Sequence, residues 1–168
     1  IERGATTSNA LLGRRFGHLT NIAFYYLLRV GEYTFSGHTQ KRRTQQFRVQ
    51  DITFRNGNYI IPNTAPLPQL LQATTATLTI DNQKNGQRGQ CIHHHCTGLP
   101  TSPIKSLAYR VHHIMANSGN NPTIPISAYY TAPGHLSHVY SSHINTAVKL
   151  AVLHTGLTAQ GFHPSQVS

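Results

Sequence analysis

Ala23-Phe24-Tyr25-Tyr26-Leu27-Leu28-Arg29-Val30-Gly31-Glu32-Tyr33-Thr34 is the stretch on which the reading of this chain turns. Its first half ends a run from Leu11 to Leu28 of helical character, and the dense block Ile22 to Leu28 predicts a helix buried on most sides. Gly31 then offers a break. An arginine planted at that helix end is expected among buried residues, where a guanidinium is rare unless it is paired or holds an anion. Glu32 stands close enough on a helical turn to orient Arg29 by a salt bridge. The plainer reading is a structural ion pair that closes the helix; the chemical reading is that Arg29 holds phosphate.

Composition favours the second reading. The 168 residues include 14 Lys+Arg against 4 Asp+Glu, a formal net charge of +10. Such a surplus suits a polyanion, and nucleic acid binds it through phosphate neutralisation and counterion release. The cations are spread over Arg14 and Arg15, Lys41-Arg42-Arg43 with Arg48, Lys84 and Arg88, and Lys105 and Arg110, between ordered-looking segments. That distribution predicts a basic face on a folded body, not a basic tail. One domain over 1–168 is expected, with enough apolar residues for a core. Cys91 and Cys96 are the only cysteines, too few and too close for a secreted disulfide framework, so a reducing compartment is expected. No apolar run approaches the roughly 20 residues of a membrane span, and no membrane partner is expected.

Working outward, residues 36–46 (SGHTQKRRTQQ) are polar and basic, a loop suited to lie along a phosphate backbone. Phe47, Val49, Ile52 and Phe54 read as short extended segments, and Arg55-Asn56-Gly57-Asn58 as a hairpin turn into Tyr59-Ile60-Ile61. Pro62, Pro66 and Pro68 mark residues 63–72 as a connector without regular structure. Thr74 to Ile80 and Gln90 to Cys96 form a second hairpin around turn formers at 82–89, with Lys84 at or near its tip. Ile104, Leu107, Ala108, Val111, Ile114 and Met115 follow helical spacing up to Asn117-Ser118-Gly119. A last helix starts at Ser141 or Ser142 and carries Ile144, Ala147, Val148, Ala151 and Val152 towards Gly156. The order is helix, small antiparallel strands, helix, helix, an α+β arrangement with strands to one side.

Three of these segments carry a resemblance. Residues 23–34 (AFYYLLRVGEYT), 78–92 (LTIDNQKNGQRGQCI), and 103–117 followed by 141–162 resemble, in order and spacing, the first arginine box, the lysine hairpin and the later helices of the tyrosine recombinase (phage-integrase) catalytic domain. The sub-pattern is most similar to recombinases of crypton and DIRS-like mobile elements. The resemblance implies a mainly helical DNA breaking-rejoining domain with a small antiparallel sheet on one side. It implies DNA integration or recombination through a covalent 3'-phosphotyrosine intermediate, and double-stranded DNA as partner, with a homo-oligomer on DNA at full length. No cofactor is implied, and a nuclear location follows if the eukaryotic mobile-element likeness holds. Arg29 matches the arginine that binds the scissile phosphate, where planar donors engage two oxygens and stabilise charge growing in the transition state. Lys84 matches the general acid that protonates the leaving 5' oxygen, a role worth about 100-fold to 10,000-fold. Glu32 supports Arg29, and Lys41, Arg42, Arg43 and Arg88 are expected to contact DNA.

The departures are equally specific. The family's second box, His-x-x-Arg, is not met by His163, which has Gln166 three residues on, and no tyrosine matches the nucleophile: Tyr25, Tyr26 and Tyr33 flank the first box, while Tyr129 and Tyr130 fall in a connector. The chain therefore reads as a domain incomplete at its C-terminus, the alternative being a non-catalytic DNA-binding remnant of a mobile element. A basic RNA-binding protein with a coincidental arginine box is a further reading. In Cys91-Ile92-His93-His94-His95-Cys96, alternate residues share a strand face but stand about 6 to 7 Å apart, too spread for one tetrahedral ion unless other elements such as His112-His113 contribute, which leaves a small zinc module as a further alternative. The plainer reading is a hairpin strand whose histidines lie near DNA or pack on neighbouring helices. No metal site is assigned there.

Overall fold

Thr75-Ala76-Thr77-Leu78-Thr79-Ile80 alternates hydroxyl and apolar side chains, so as a strand it presents three apolar residues on one face and three threonines on the other. A computed structural model describes residues 16–35, 37, 46–80, 89–131 and 134–155 and has this segment as the centre of an antiparallel sheet. The strands are β1 (Ile52–Asn56), β2 (Tyr59–Ile61), β3 (Thr75–Ile80) and β4 (Gln90–His95), in the spatial order β2-β1-β3-β4. Phe54 opposes Ile61 and Ala76, and Leu78 opposes Ile52 and Ile92, which gathers the apolar residues on one face. Phe54, Ala76 and Leu78 are wholly buried. Gly57, at φ +56°, makes the tight turn between β1 and β2, a backbone conformation that costs glycine nothing.

The helices are α1 (residues 16–25 as described), the single turns α2 (Val30–Tyr33) and α3 (Leu67–Leu70), α4 (Pro103–Asn117) and α5 (Ser141–His154). A second small sheet pairs β5 (Ala128–Tyr130) with β6 (Leu136–His138). Mixed α+β architecture, as read from the pattern, is what the described residues adopt.

Helix α4 realises its periodicity closely. Ile104, Leu107, Ala108, Val111, Ile114 and Met115 are all buried, and Pro103 opens the helix where its missing N–H has no helical partner to lose. Ser118 and Asn120 donate back to the Ile114 and Met115 carbonyls, with Gly119 at φ +65° closing the end. Helix α1 behaves differently from its composition. Leu19, Ile22, Ala23 and Tyr26 are buried, whereas Phe24 is 72% exposed and Leu27 87%. A helix turns 100° per residue, so a continuous apolar run sends only the residues in phase with the core inward. The expected burial on most sides is therefore corrected to a single buried stripe. Across that stripe the Tyr26 hydroxyl donates to the Ala76 carbonyl of β3 at 3.0 Å, 50 residues away in sequence.

Three further expectations change. Residues 63–72 are not free of regular structure: Pro66 stands as N-cap and Pro68 in the first turn of α3, both positions a helix tolerates. Tyr129 and Tyr130 lie not in a connector but in β5, buried. Arg110 is no part of a basic face. It is 2% exposed on α4, and its Nε donates to the Ile126 carbonyl at 2.6 Å, joining α4 to the segment that enters β5.

Candidate functional site

Helix α1 ends in a Schellman turn. The Leu28 N–H donates to the Ala23 carbonyl at 2.9 Å and the Leu27 N–H to the Phe24 carbonyl at 3.3 Å, the two bonds that define this cap. The motif requires left-handed backbone at its pivot, and Leu27 supplies it at φ +52°. Glycine is the usual residue there because an L side chain crowds the following carbonyl, at a cost of roughly 1 to 2 kcal/mol.

Arg29 follows at once, in extended backbone with φ −71° and ψ 147°, as the N-cap of α2. Its N–H donates to the Glu32 carboxylate at 2.8 Å, and the Glu32 N–H donates to the Arg29 carbonyl at 2.8 Å. This reciprocal pair is the physical content of the Arg-x-x-Glu spacing. Glu32 is 6% exposed, and its own carbonyl accepts the Phe47 N–H at 2.9 Å, which ties α2 to the chain leading into the sheet. The backbone of Arg29 is thus held between the cap of one helix and the cap of the next.

Two sequence expectations are corrected here. Arg29 is exposed, not buried, because the Schellman turn reverses the chain away from the core before the arginine is reached. Glu32 orients Arg29 through the backbone; no ion pair joins the two side chains among the described residues. An exposed guanidinium on a fixed backbone is better placed to meet an external anion than a buried one, since it needs no intramolecular counter-charge.

Leu27, Arg29 and Glu32 line one side of a groove of about 550 Å³, and Ile80, Gln90 and His94 line the other. The groove therefore lies between the arginine box and the β3–β4 pair. Gly89 donates to the Ile80 carbonyl at 2.9 Å, closing the β3–β4 ladder just before Gln90 begins β4. Lys84 and Arg88 fall between the two strands in sequence and, like Lys41, Arg42 and Arg43, lie outside the described residues.

Sequence reasoning did not single out His94, although strand parity carries the signal. His94 opposes Ala76 and shares the apolar face with Ile92, so it turns towards α1. There its ring meets Tyr26 edge-on with centroids 4.5 Å apart, and Tyr25 at 6.0 Å. Burial raises the Tyr26 phenol well above its ordinary range, so it stays a neutral donor. On the opposite face, the expected alignment of Cys91, His93 and His95 is present, but each meets a threonine across the ladder. His93 Nδ1 is 2.8 Å from Thr77 Oγ1, His95 Nδ1 is 3.5 Å from Thr75 Oγ1, and Cys91 Sγ is 3.7 Å from Thr79 Oγ1. Among the described residues no three His, Cys, Asp or Glu side chains are grouped so as to hold a metal ion, and no helix is long and apolar enough to cross a membrane.

No family model matches the chain, and none of the curated proteins or solved structures compared with it is similar.

Proposed function

We propose that this chain supplies the phosphate-binding groove of a DNA strand transferase of the tyrosine recombinase kind, acting in integration or site-specific recombination. The observation that carries the reading is the convergence at one groove of two segments distant in sequence, the Arg29 box and the stem of the hairpin whose connection contains Lys84. Each was singled out for its likeness to a different part of the same catalytic centre. In this reading the α+β unit belongs to a mainly helical DNA breaking-rejoining domain, and double-stranded DNA is its partner, bound as a homo-oligomer.

The chemistry follows from the groups present. Arg29, exposed and backbone-fixed, donates to two non-bridging oxygens of the scissile phosphate and stabilises the added charge of the pentacovalent transition state. A tyrosine from outside the matched segments forms the new bond to phosphorus as the bond to the 5' oxygen breaks. Lys84 delivers its proton to that oxygen, and reversal of the same steps rejoins a strand. Glu32, engaged with backbone, does not compete with phosphate for the guanidinium.

Relaxation of supercoiled plasmid by the polypeptide that the reading frame around this chain encodes tests the proposal without knowledge of a target site. Arg29→Ala is expected to slow relaxation by roughly 100-fold or more, comparable to loss of a transition-state donor, while duplex affinity falls only a few-fold. Relaxation at the wild-type rate by Arg29→Ala would overturn the assignment. Salt-dependent duplex binding by a wild-type protein that never relaxes DNA would leave a binding surface alone, the behaviour of a non-catalytic remnant.

A further inference from the structure

Leu27 is a residue whose backbone would be served better by glycine and whose side chain joins no part of the core among the described residues. Its φ of +52° is the left-handed conformation that the Schellman turn demands. Its side chain is 87% exposed, the most exposed large apolar side chain described. It stands on the rim of the groove two residues before Arg29, with Val30, 43% exposed, on the arginine's other side. A conformational cost with no return in packing points to a contact outside the chain.

We infer that Leu27 is a duplex-contacting residue, an apolar finger that lies against the sugar and base edge next to the phosphate held by Arg29. This rests on the strand-transferase reading and extends it from the reacting phosphate to the neighbouring nucleoside. Charge selects DNA over a protein surface as the occupant. The exposed guanidinium is adjacent, the chain carries +10, and among the described residues the acid lining this groove, Glu32, is buried with its carboxylate on the Arg29 N–H. A leucine set beside a cationic phosphate contact adds affinity without adding charge, so its share of binding is insensitive to salt, whereas each phosphate contact contributes to the salt slope.

The experiment titrates a fluorescent 30-base-pair duplex with the wild-type full chain and its variants across a salt series, beside thermal melts of each protein. Leu27→Gly is expected to melt roughly 2 to 4 °C higher, the shift expected when about 1 kcal/mol of strain is relieved in a chain of this size. It should nonetheless bind the duplex about 5- to 20-fold more weakly at every salt concentration, the loss expected when most of a leucine contact is removed, with the slope unchanged. Leu27→Asn also accepts left-handed backbone and lacks an apolar side chain, and it should bind as weakly, so the test stands even if the glycine variant folds poorly. Leu27→Met, which keeps an apolar reach, should stay close to wild type. Wild-type affinity in both Leu27→Gly and Leu27→Asn would overturn the contact, as would a loss confined to self-association with duplex binding intact. Arg29→Ala separates the two levels. An unchanged salt slope in that variant strikes the underlying phosphate-binding reading, while a slope reduced by about one with normal Leu27→Gly affinity strikes the Leu27 contact alone.

Discussion

Arg29 and Arg110 are the same residue type put to opposite uses. Arg110 projects from the middle of α4 into the interior, 2% exposed, with Nε on the Ile126 carbonyl at 2.6 Å. Arg29 leaves a Schellman turn with its guanidinium exposed, and what is fixed is its backbone, through the 2.8 Å bond from its N–H to Glu32. A buried guanidinium must find its hydrogen bonds within the fold, so it is committed to stability. An exposed one on a rigid backbone retains its donors for an external anion. In this protein the arginine committed to the fold is thus the one inside, and the arginine proposed to meet phosphate is the one that the caps hold out.

The sharpest way to break the contrast is to remove each side chain in turn. Arg110→Met is expected to cost about 3 kcal/mol, because it strands the Ile126 carbonyl and disturbs a packed helix face; urea unfolding would show it, and a loss under about 0.5 kcal/mol would refute the structural assignment. Glu32→Ala comes next. Loss of the reciprocal cap should cost about 1 to 2 kcal/mol and free the backbone of Arg29. Its duplex salt slope should stay near wild type, since no phosphate contact is deleted, and a change equal to that of Arg29→Ala would mean the carboxylate acts directly on the ligand site.

Tyr26 supplies a pH test of the surface on which the groove is built. Burial raises its phenol above the ordinary value near 10, so the unfolded chain loses that proton first as pH climbs. The associated stability is complete below about pH 10 and declines above it. Tyr33 is raised by burial in the same direction. Tyr26→Phe should melt lower at neutral pH, by about 1 kcal/mol for the lost bond to Ala76, yet show a shallower decline in melting temperature on the alkaline side. An equal alkaline slope in both proteins would remove Tyr26 from that role. The smallest expected stability effect belongs to Arg29→Ala, within about 0.5 kcal/mol of wild type as for an exposed side chain with no side-chain partner among the described residues; a large loss would make Arg29 a second Arg110.

How far the sequence could be read varied with the kind of signal. Periodicity located α4 with its buried stripe, because six apolar residues at helical spacing leave few alternatives. Alternation located the β3–β4 hairpin, since threonines and apolar residues exchange faces strictly along a strand. The second sheet was not legible: Ala128-Tyr129-Tyr130 is three residues long, and so short a run has no period to recognise. The single turn α3 was masked by prolines that a helix accepts only at its start. At the site, the spacing of Arg29 and Glu32 was visible, but a carboxylate three residues from an arginine serves equally as ion pair or backbone cap, and only the folded geometry distinguishes the two. The left-handed Leu27 was invisible for a plainer reason: glycine announces that conformation and leucine does not.

Composition and pattern by themselves determined the excess of positive charge, the α+β class, the two hairpins of the larger sheet and the identity of the residues worth watching. Tertiary structure decided which arginine is buried, which face of α1 meets the sheet, and that the Arg29 box and the β3–β4 stem border the same groove. The division has a physical cause. Charge and periodicity are properties of neighbours along the chain, whereas burial and convergence depend on contacts such as Tyr26 to Ala76, across 50 residues that no local pattern encodes.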